Sequence, residues 1–345
     1  MIPQAYAKSI NPRVQSGSFS WRTTTPGLLA HAVKTYGWRF IPDQVLPPLI
    51  ANIAVGAVLY TSYLQVLGAL HDPSSHSTKR VFPPPPPSAT FTAGFAAGGL
   101  QSLIAAPLDA LQVRFDKRES HYENKSMWAY ARGKLRDIGM RGVFAGWSLS
   151  LVKDSFGSGI FFATFEVVKA QCFYSFVKMY YGSLEPWVVN NLATARDVMS
   201  AQAEDRVPVI KPHFALEPSF LMAAGTAASV AQQTVIYPLS KIQTLHFERL
   251  EDLDTQAAKA KQAPRRGLML RAYYHAYEET WKQCKLLAST QGGVRQWLLR
   301  GFWWNTIRQV PSTSAGLIIF ELLRRKYGMS EEVRISQDGY DILLS

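Results

Sequence analysis

The residues best placed to do chemistry lie in one apolar stretch, Gly146–Lys169 (GWSLSLVKDSFGSGIFFATFEVVK). Lys153 and Asp154 carry adjacent opposite charges, and eleven uncharged residues separate them from Glu166, with Lys169 three positions further on. A charge in hydrocarbon costs roughly 2.5–3.5 kcal/mol on insertion scales, so such residues usually face a bundle interior or a water-filled cavity. Lys153 and Asp154 can therefore bind a charged ligand or neutralise each other, and a soluble helix with a surface ion pair is the third reading.

Long runs without charged residues or histidine favour a membrane protein. Three such runs, Gln44–Leu70, Val81–Leu108 and Pro218–Ser240, each exceed the ~20 residues that a spanning helix needs. Gly146–Phe165 and Gly301–Phe320 are apolar except for Lys153, Asp154 and Arg308. Because small residues let membrane helices approach closely, the abundant Gly, Ala and Ser predict a packed bundle. The fold class we expect is an all-α membrane protein with five transmembrane helices.

The net charge of +12 is distributed unevenly between the connecting segments. Lys117–Arg141 holds seven basic and three acidic residues, Arg249–Arg300 ten and five, and Lys178–Glu217 four and five. This alternation is typical of charge-biased membrane insertion, and the basic segments suit an anionic lipid surface. We therefore expect membrane lipid as a partner and no nucleic acid.

No set of residues indicates catalysis. Cys172 and Cys284 are the only cysteines and support neither a disulfide framework nor a metal site. Neither HExxH, GxxxxGK[ST] nor GxSxG occurs. The sequence predicts no enzyme, no cofactor and no metal.

The segments before the second span carry weaker signals. Residues 1–42 contain five basic and no acidic residues, which is compatible with mitochondrial targeting or with an ordinary basic tail. Pro26–Tyr36 has apolar residues at helical spacing and predicts a short helix along the membrane surface. The five prolines Pro83–Pro87 favour a stiff spacer over a ligand for a proline-reading domain.

The spans repeat in pairs. Pro107-Leu108-Asp109 and Pro238-Leu239-Ser240 mark corresponding points of two spans, 131 positions apart. Lys153-Asp154 corresponds to Arg308-Gln309, and Phe165-Glu166 to Phe320-Glu321, both at an offset of 155. The first span fits the same frame with Asn52 at the Asp154 position, but without the charges. Helix kinks are expected at Pro107, Pro238 and Pro311.

These features together resemble the mitochondrial carrier family, whose three repeats each hold two membrane helices joined by a matrix helix. The family ends odd helices with P-x-[DE]-x-x-[KR]-x-[KR] and even helices with [FY]-[DE]-x-x-[KR]. The first motif is matched by Pro107, Asp109 and Arg114 with Gln112 in place of a base, and by Pro238 with Ser240 and Gln243 in place of both charges. The second motif is matched fully by Phe165, Glu166, Lys169 and by Phe320, Glu321, Arg324.

The resemblance implies a division of the chain into repeats. A basic segment (1–25) precedes an incomplete first repeat (26–80), followed by a second repeat (81–180), a loop (181–217), a third repeat (218–328) and a tail (329–345). No apolar span ending in P-x-[DE] lies upstream of Pro26, so the first odd helix of the pattern is missing from this sequence.

The resemblance also implies roles for the charged residues. The expected substrate contacts are Asn52, Lys153, Asp154, Arg308 and Gln309, and the expected gate residues are Asp109, Glu166, Lys169, Glu321 and Arg324. Lys153 followed by Asp154 is similar to carriers of amino acids and related zwitterions, so we expect alternating-access transport of a small carboxylate-bearing metabolite of amino acid or keto acid type. The expected location is a mitochondrial membrane, inner in preference to outer. The rival reading is a non-transporting protein of the same fold that acts in membrane fusion, protein insertion or assembly.

Overall fold

The computed structural model is helical over most of the residues that it describes. The described residues are 25–38, 41–42, 46–76, 81–118, 132–133, 135–136, 139, 142, 144–183, 209–210, 212–213, 215–259, 266–307, 309–310, 333–337 and 340–344. The numbered α-helices within these ranges are α1 (Thr25–Tyr36), α2 (Leu46–Leu70), α3 (Asp72–His76), α4 (Pro87–Arg118), α5 (Trp147–Glu166), α6 (Phe173–Tyr181), α7 (Leu216–Lys259), α8 (Arg266–Thr290) and α9 (Val294–Leu299). A π-helical segment, Val167–Cys172, joins α5 to α6. Residues 302–307 are also helical.

Three helical segments are long and apolar enough to cross a membrane among the described residues: Leu49–Leu70, Pro87–Leu111 and Trp147–Tyr181. They coincide with the first three predicted spans. The fourth predicted span lies within α7, a single helix of 44 residues that does not reach the same apolarity. Most of the fifth lies outside the described residues. The helical, membrane-spanning character of the chain is thus confirmed, and the number of five spans stays a prediction.

Two predicted kink prolines, Pro107 and Pro238, lie inside α4 and α7, and both helices continue beyond them. The third, Pro311, lies outside the described residues. Thr25–Tyr36 forms the helix predicted before the first span.

The chain divides into two compact units. The first comprises residues 1–58, 101–151 and 239–300, and the second residues 59–100, 152–238 and 301–345. In the first unit, α7 packs on α8 through Phe247, Leu250, Tyr273 and Ala276, with Ala110 of α4. The turn before α5 reaches this cluster because Gly146 adopts φ +93°, and a Cβ there would lie 2.8 Å from the Phe247 ring.

In the second unit, α4 and α5 pack backbone against backbone. A Cβ on Gly94 would lie 2.8 Å from the Ser158 carbonyl oxygen and 3.1 Å from Gly159 Cα. Only residues without side chains allow so close an approach between membrane helices. The contact continues one helical turn away at Gly98, whose Cβ would overlap the backbone of Asp154.

A three-stranded sheet in the order β1-β3-β2 was not predicted from the sequence. Val209–Ile210 (β1) pairs in parallel with Tyr340–Leu344 (β3), which pairs antiparallel with Val333–Gln337 (β2). Segments described above as a loop and a tail therefore contain ordered strands. Ile210, Ile335 and Ile342 of the sheet pack on α6 and on the start of α7 in the core of the second unit.

The proline tract is held against the π segment and α6. Pro85 is buried, and its carbonyl oxygen accepts a hydrogen bond of 3.1 Å from Gln171 Nε2. The Tyr174 hydroxyl donates to the Val81 carbonyl oxygen at 3.3 Å, and its ring contacts Phe82 edge to face. The tract thus packs on the chain itself, and its role as a spacer stays a prediction.

Candidate functional site

The predicted central pair, Lys153 and Asp154, forms an ion pair inside α5. Lys153 Nζ lies 3.5 Å from Asp154 Oδ1, and the two side chains are only 12% and 8% exposed. The position of Asp154 is fixed by the close contact of its backbone with Gly98 of α4. The two charges therefore neutralise each other in part, as the structural reading expects, and they do so within a membrane-spanning helix.

Of the other three expected substrate contacts, the structure describes two. Asn52 lies exposed on α2 in the first unit, beside Gly56, which has open space around it. Gln309 is exposed in the second unit, and Arg308 lies outside the described residues. That these residues meet around one ligand with Lys153 stays a prediction.

Two neutral polar residues in the second unit were missed by the sequence reasoning. Asn305 Nδ2 donates a 3.1 Å hydrogen bond to Gln233 Oε1, so the helix at 302–307 is joined to α7 by an amide pair. Gln233 is almost fully buried. A signal was present in the sequence, since Gln233 is a polar residue within the uncharged run Pro218–Ser240, and polar residues within spans often mark contacts between helices.

The predicted gate pair at the end of α5 lies within one stretch of chain. Lys169 Nζ is 3.5 Å from Glu166 Oε1, and its ammonium group also lies over the Phe165 ring at 5.4 Å from the centroid. Glu166 is the last α-helical residue, and the π segment that follows contains Lys169. This ion pair does not join two separate helices. Glu321 and Arg324 lie outside the described residues.

Tyr63 on α2 is the residue of the first repeat that corresponds to Phe165 of the second. Its ring stacks on Phe162 with centroids 3.7 Å apart and planes 8° apart, and Tyr60 meets Phe162 edge to face. The Tyr63 hydroxyl is buried and has no hydrogen-bond partner among the described residues. The first repeat thus keeps the aromatic residue of this motif at Tyr63 and has the apolar Leu64 in place of the acid.

At the other predicted gate, Asp109 is partly buried near the end of the second span, and the side chains of Gln112 and Arg114 are not described. Gln243, which replaces an expected base, donates a 2.7 Å hydrogen bond to Ser150 Oγ of α5. Lys241 Nζ donates to the carbonyl oxygens of Trp297 at 2.9 Å, in the last turn of α9, and of Arg300 at 2.8 Å, directly after it. Neutral side chains and backbone carbonyls are therefore the partners found here for Lys241 and Gln243.

Within the described residues, no group of three or more His, Cys, Asp or Glu side chains could hold a metal ion. Both cysteines are free thiols, Cys172 exposed and Cys284 buried. What the arrangement offers chemically is a buried acid–base pair and several neutral hydrogen-bonding groups.

Comparison with known proteins gives consistent results. Residues 83–175 match the family model described as mitochondrial carrier protein. A mitochondrial thiamine pyrophosphate carrier 1 from Aspergillus niger is 25% identical over 276 residues, covering 80% of this chain and 68% of that protein. The protein of the same name from Coccidioides immitis is 24% identical over 280 residues, with 80% and 68% covered. Solute carrier family 25 member 45 from Mus musculus is 34% identical over 161 residues, covering 42% and 54%. No solved structure matches.

These similarities confirm the resemblance to the mitochondrial carrier family that the motifs predicted. They support a membrane transport protein of the mitochondrial carrier type, a family of transporters for small molecules. They also indicate a mitochondrial membrane.

Proposed function

We propose that this chain carries a small carboxylate-bearing metabolite, of amino acid or keto acid type, across the mitochondrial inner membrane by alternating access. The observation that carries the proposal is the buried Lys153–Asp154 pair in a membrane-spanning helix. Two charges in that position are expensive, since removing each from water costs several kcal/mol that their attraction only partly offsets. A ligand-binding role accounts for their presence better than a purely structural one.

The pair suits a zwitterion. A ligand carboxylate can accept charge-assisted hydrogen bonds from the Lys153 ammonium group, and this contact would compete with Asp154. The released Asp154 carboxylate can then accept a hydrogen bond from a ligand ammonium group. Binding therefore exchanges one internal ion pair for two pairs with the ligand, which keeps every charge compensated.

The names of the relatives favour a second candidate substrate. Thiamine pyrophosphate, named for the fungal relatives, combines a cationic ring with an anionic pyrophosphate. The same Lys153–Asp154 pair can hold one charge of each sign. We therefore include this molecule with the amino acids and keto acids as a substrate to be tested.

The test is exchange by purified full-length protein in liposomes. Labelled amino acids, keto acids, thiamine pyrophosphate and nucleotides are offered outside against each compound inside. Saturable exchange of a carboxylate is the expected result, and exchange of thiamine pyrophosphate alone would replace the proposed substrate class. Absence of exchange for every class would contradict the transport proposal.

The rival function, a non-transporting role in membrane fusion, protein insertion or assembly, is favoured by the neutral residues at the gate positions Gln112, Ser240 and Gln243. Protease protection in intact and outer-membrane-ruptured mitochondria distinguishes the two. An inner-membrane transporter is protected until the outer membrane is ruptured. Digestion in intact mitochondria, combined with absent exchange, supports the rival.

A further inference from the structure

The start of α5 is joined to α7 and α8 by two hydrogen bonds between uncharged side chains. Gln243 Nε2 donates to Ser150 Oγ at 2.7 Å, and both residues are almost fully buried. Ser148 Oγ and the Tyr277 hydroxyl share a second bond of 2.8 Å. All four residues belong to the first unit. The two bonds cross from the predicted second repeat (81–180) to the predicted third repeat (218–328).

The backbone supports the same junction. Gly146, one turn before Ser150, packs directly on Phe247 and His246 of α7, and its positive φ of +93° sets the turn that brings α5 there. Ala145 is partly buried in the same cluster. The junction is therefore a packed surface closed by the two hydrogen bonds.

The partners are neutral where the carrier motif places charge. Gln243 and Ser240 stand at the positions of the expected base and acid of P-x-[DE]-x-x-[KR]. Ion pairs with solvent access are screened by salt, over about 10 Å at 0.1 M, whereas a bond between an amide and a hydroxyl carries no net charge to screen. A closure built from Gln243 and Ser150 should thus hold at high ionic strength.

We propose that the Gln243–Ser150 and Ser148–Tyr277 bonds form a neutral latch, which closes this end of the molecule in place of an ion-pair gate. The latch deepens the proposed function, because it is this contact that must break when the end opens for transport. Gln243 and Ser150 are positioning residues and do not contact the substrate.

Helices α7, α8 and α9 of the third repeat are also held together by contacts among themselves. Breaking the latch need not disturb these contacts. Lys241 bonds to the carbonyl oxygens of Trp297 and Arg300. Cys284 and Ala288 of α8 pack on Trp297 of α9, against Ile242 and Leu245 of α7. Breaking the latch should therefore expose Ala145 at the junction and leave Cys284 buried.

The test measures thiol labelling of the full chain in lipid nanodiscs and needs no substrate. Cys172→Ser removes the exposed thiol, Ala145→Cys places a reporter at the junction, and the native Cys284 reports general loosening. Labelling by a membrane-impermeant maleimide is followed at each site by peptide mass spectrometry. Gln243→Leu and Ser150→Ala should each raise labelling at position 145 by roughly two- to tenfold, the effect of losing one hydrogen bond, with Cys284 unchanged.

The matched control is Thr244→Ala. Thr244 is exposed next to Gln243, and its hydroxyl donates to the Ser240 carbonyl oxygen of its own helix. This variant should label at position 145 like the parent. Equal rates in Gln243→Leu, Ser150→Ala and the control would overturn the latch. Equal acceleration at position 145 and at Cys284 would also overturn it, because the bond would then be general structural support.

A salt series completes the experiment. Raising KCl from 0.05 to about 1 M should leave labelling of the parent at position 145 unchanged, and acceleration by salt would contradict a neutral closure. The double variant Gln243→Lys with Ser150→Asp should become salt-sensitive. Failure of the liposome exchange assay leaves these labelling results valid, so the latch and the transport proposal can fail separately.

Discussion

The close contact between α4 and α5 predicts opposite effects of the same substitution at two glycines. In Gly98→Ala, the new Cβ would overlap the Asp154 carbonyl oxygen and lie 2.7 Å from its carbonyl carbon and 2.9 Å from Ser155 Cα. All three atoms are backbone, so no side chain can rotate away and the helices must separate. Overpacking of this kind costs about 1–3 kcal/mol.

Gly56→Ala on α2 is the matched control, because nothing lies within 4 Å of its Cβ position. There the substitution should gain up to about 1 kcal/mol from helix propensity. A gain of about 1 kcal/mol at Gly98 as well leaves a net loss of up to about 2 kcal/mol. At about 2–4 °C per kcal/mol for large domains, Gly98→Ala should melt several degrees below the parent and Gly56→Ala at or above it.

The assay is thermal unfolding of purified protein in detergent, followed by circular dichroism or by the fluorescence of a thiol-reactive dye. A larger substitution, Gly98→Leu, should deepen the loss, because more side-chain atoms must enter the same contact. If Gly98→Ala and Gly56→Ala melt together, α4 and α5 do not pack through Gly98. The placement of Asp154 that depends on this contact would then be wrong.

Three further outcomes test other parts of the molecule. Ile342→Ala, at a fully buried sheet position, should cost about 2–5 kcal/mol and make the C-terminal residues sensitive to limited proteolysis; unchanged digestion would show that the sheet does not hold them. Lys241→Met should lower the melting temperature by an amount that reflects about 2 kcal/mol for the lost bonds to the α9 carbonyls, whereas Lys178→Met, on an exposed lysine, should not. Burial raises the pKa of the Cys284 thiol, so its alkylation should be slow at pH 8 and accelerate as the pH rises; rapid labelling at pH 7 would contradict that burial.

The sequence predicted the features that depend on local composition. The uncharged runs predicted the first three spans, and the abundance of small residues predicted close helix packing, which the structure shows at Gly94 and Gly98. The pairing of Lys153 with Asp154 followed from their adjacency. Each of these features depends on residues that are close together in the sequence.

Contacts between distant positions were not predictable in the same way. Ser150 and Gln243 are 93 positions apart, and neither residue type is specific to a latch. The motif therefore indicated only that Gln243 replaces a basic residue, whereas in the structure Gln243 donates to the buried Ser150. The charge pattern showed that the expected acid and base are absent. It could not show that Gln243 forms a hydrogen bond with Ser150 instead.

The sheet was missed although the sequence carried a local signal for it. Asp338-Gly339 separates VRISQ from YDILL, and Asp-Gly between alternating apolar residues is a strong hairpin indication. The signal was overlooked because the family pattern ends before it, near residue 328. The pairing of β3 with Val209–Ile210 involves two residues more than a hundred positions away and had no comparable signal.

The central claim is that Lys153 binds the anionic group of a transported metabolite. The measurement that tests it most directly is the initial rate of exchange against substrate concentration in liposomes, for Lys153→Ala and for Lys178→Ala, which removes the same charge from an exposed position on α6. Losing a charge-assisted contact should raise KM for a carboxylate by at least about tenfold in Lys153→Ala and leave Lys178→Ala unchanged. Unaltered kinetics in Lys153→Ala would contradict the account.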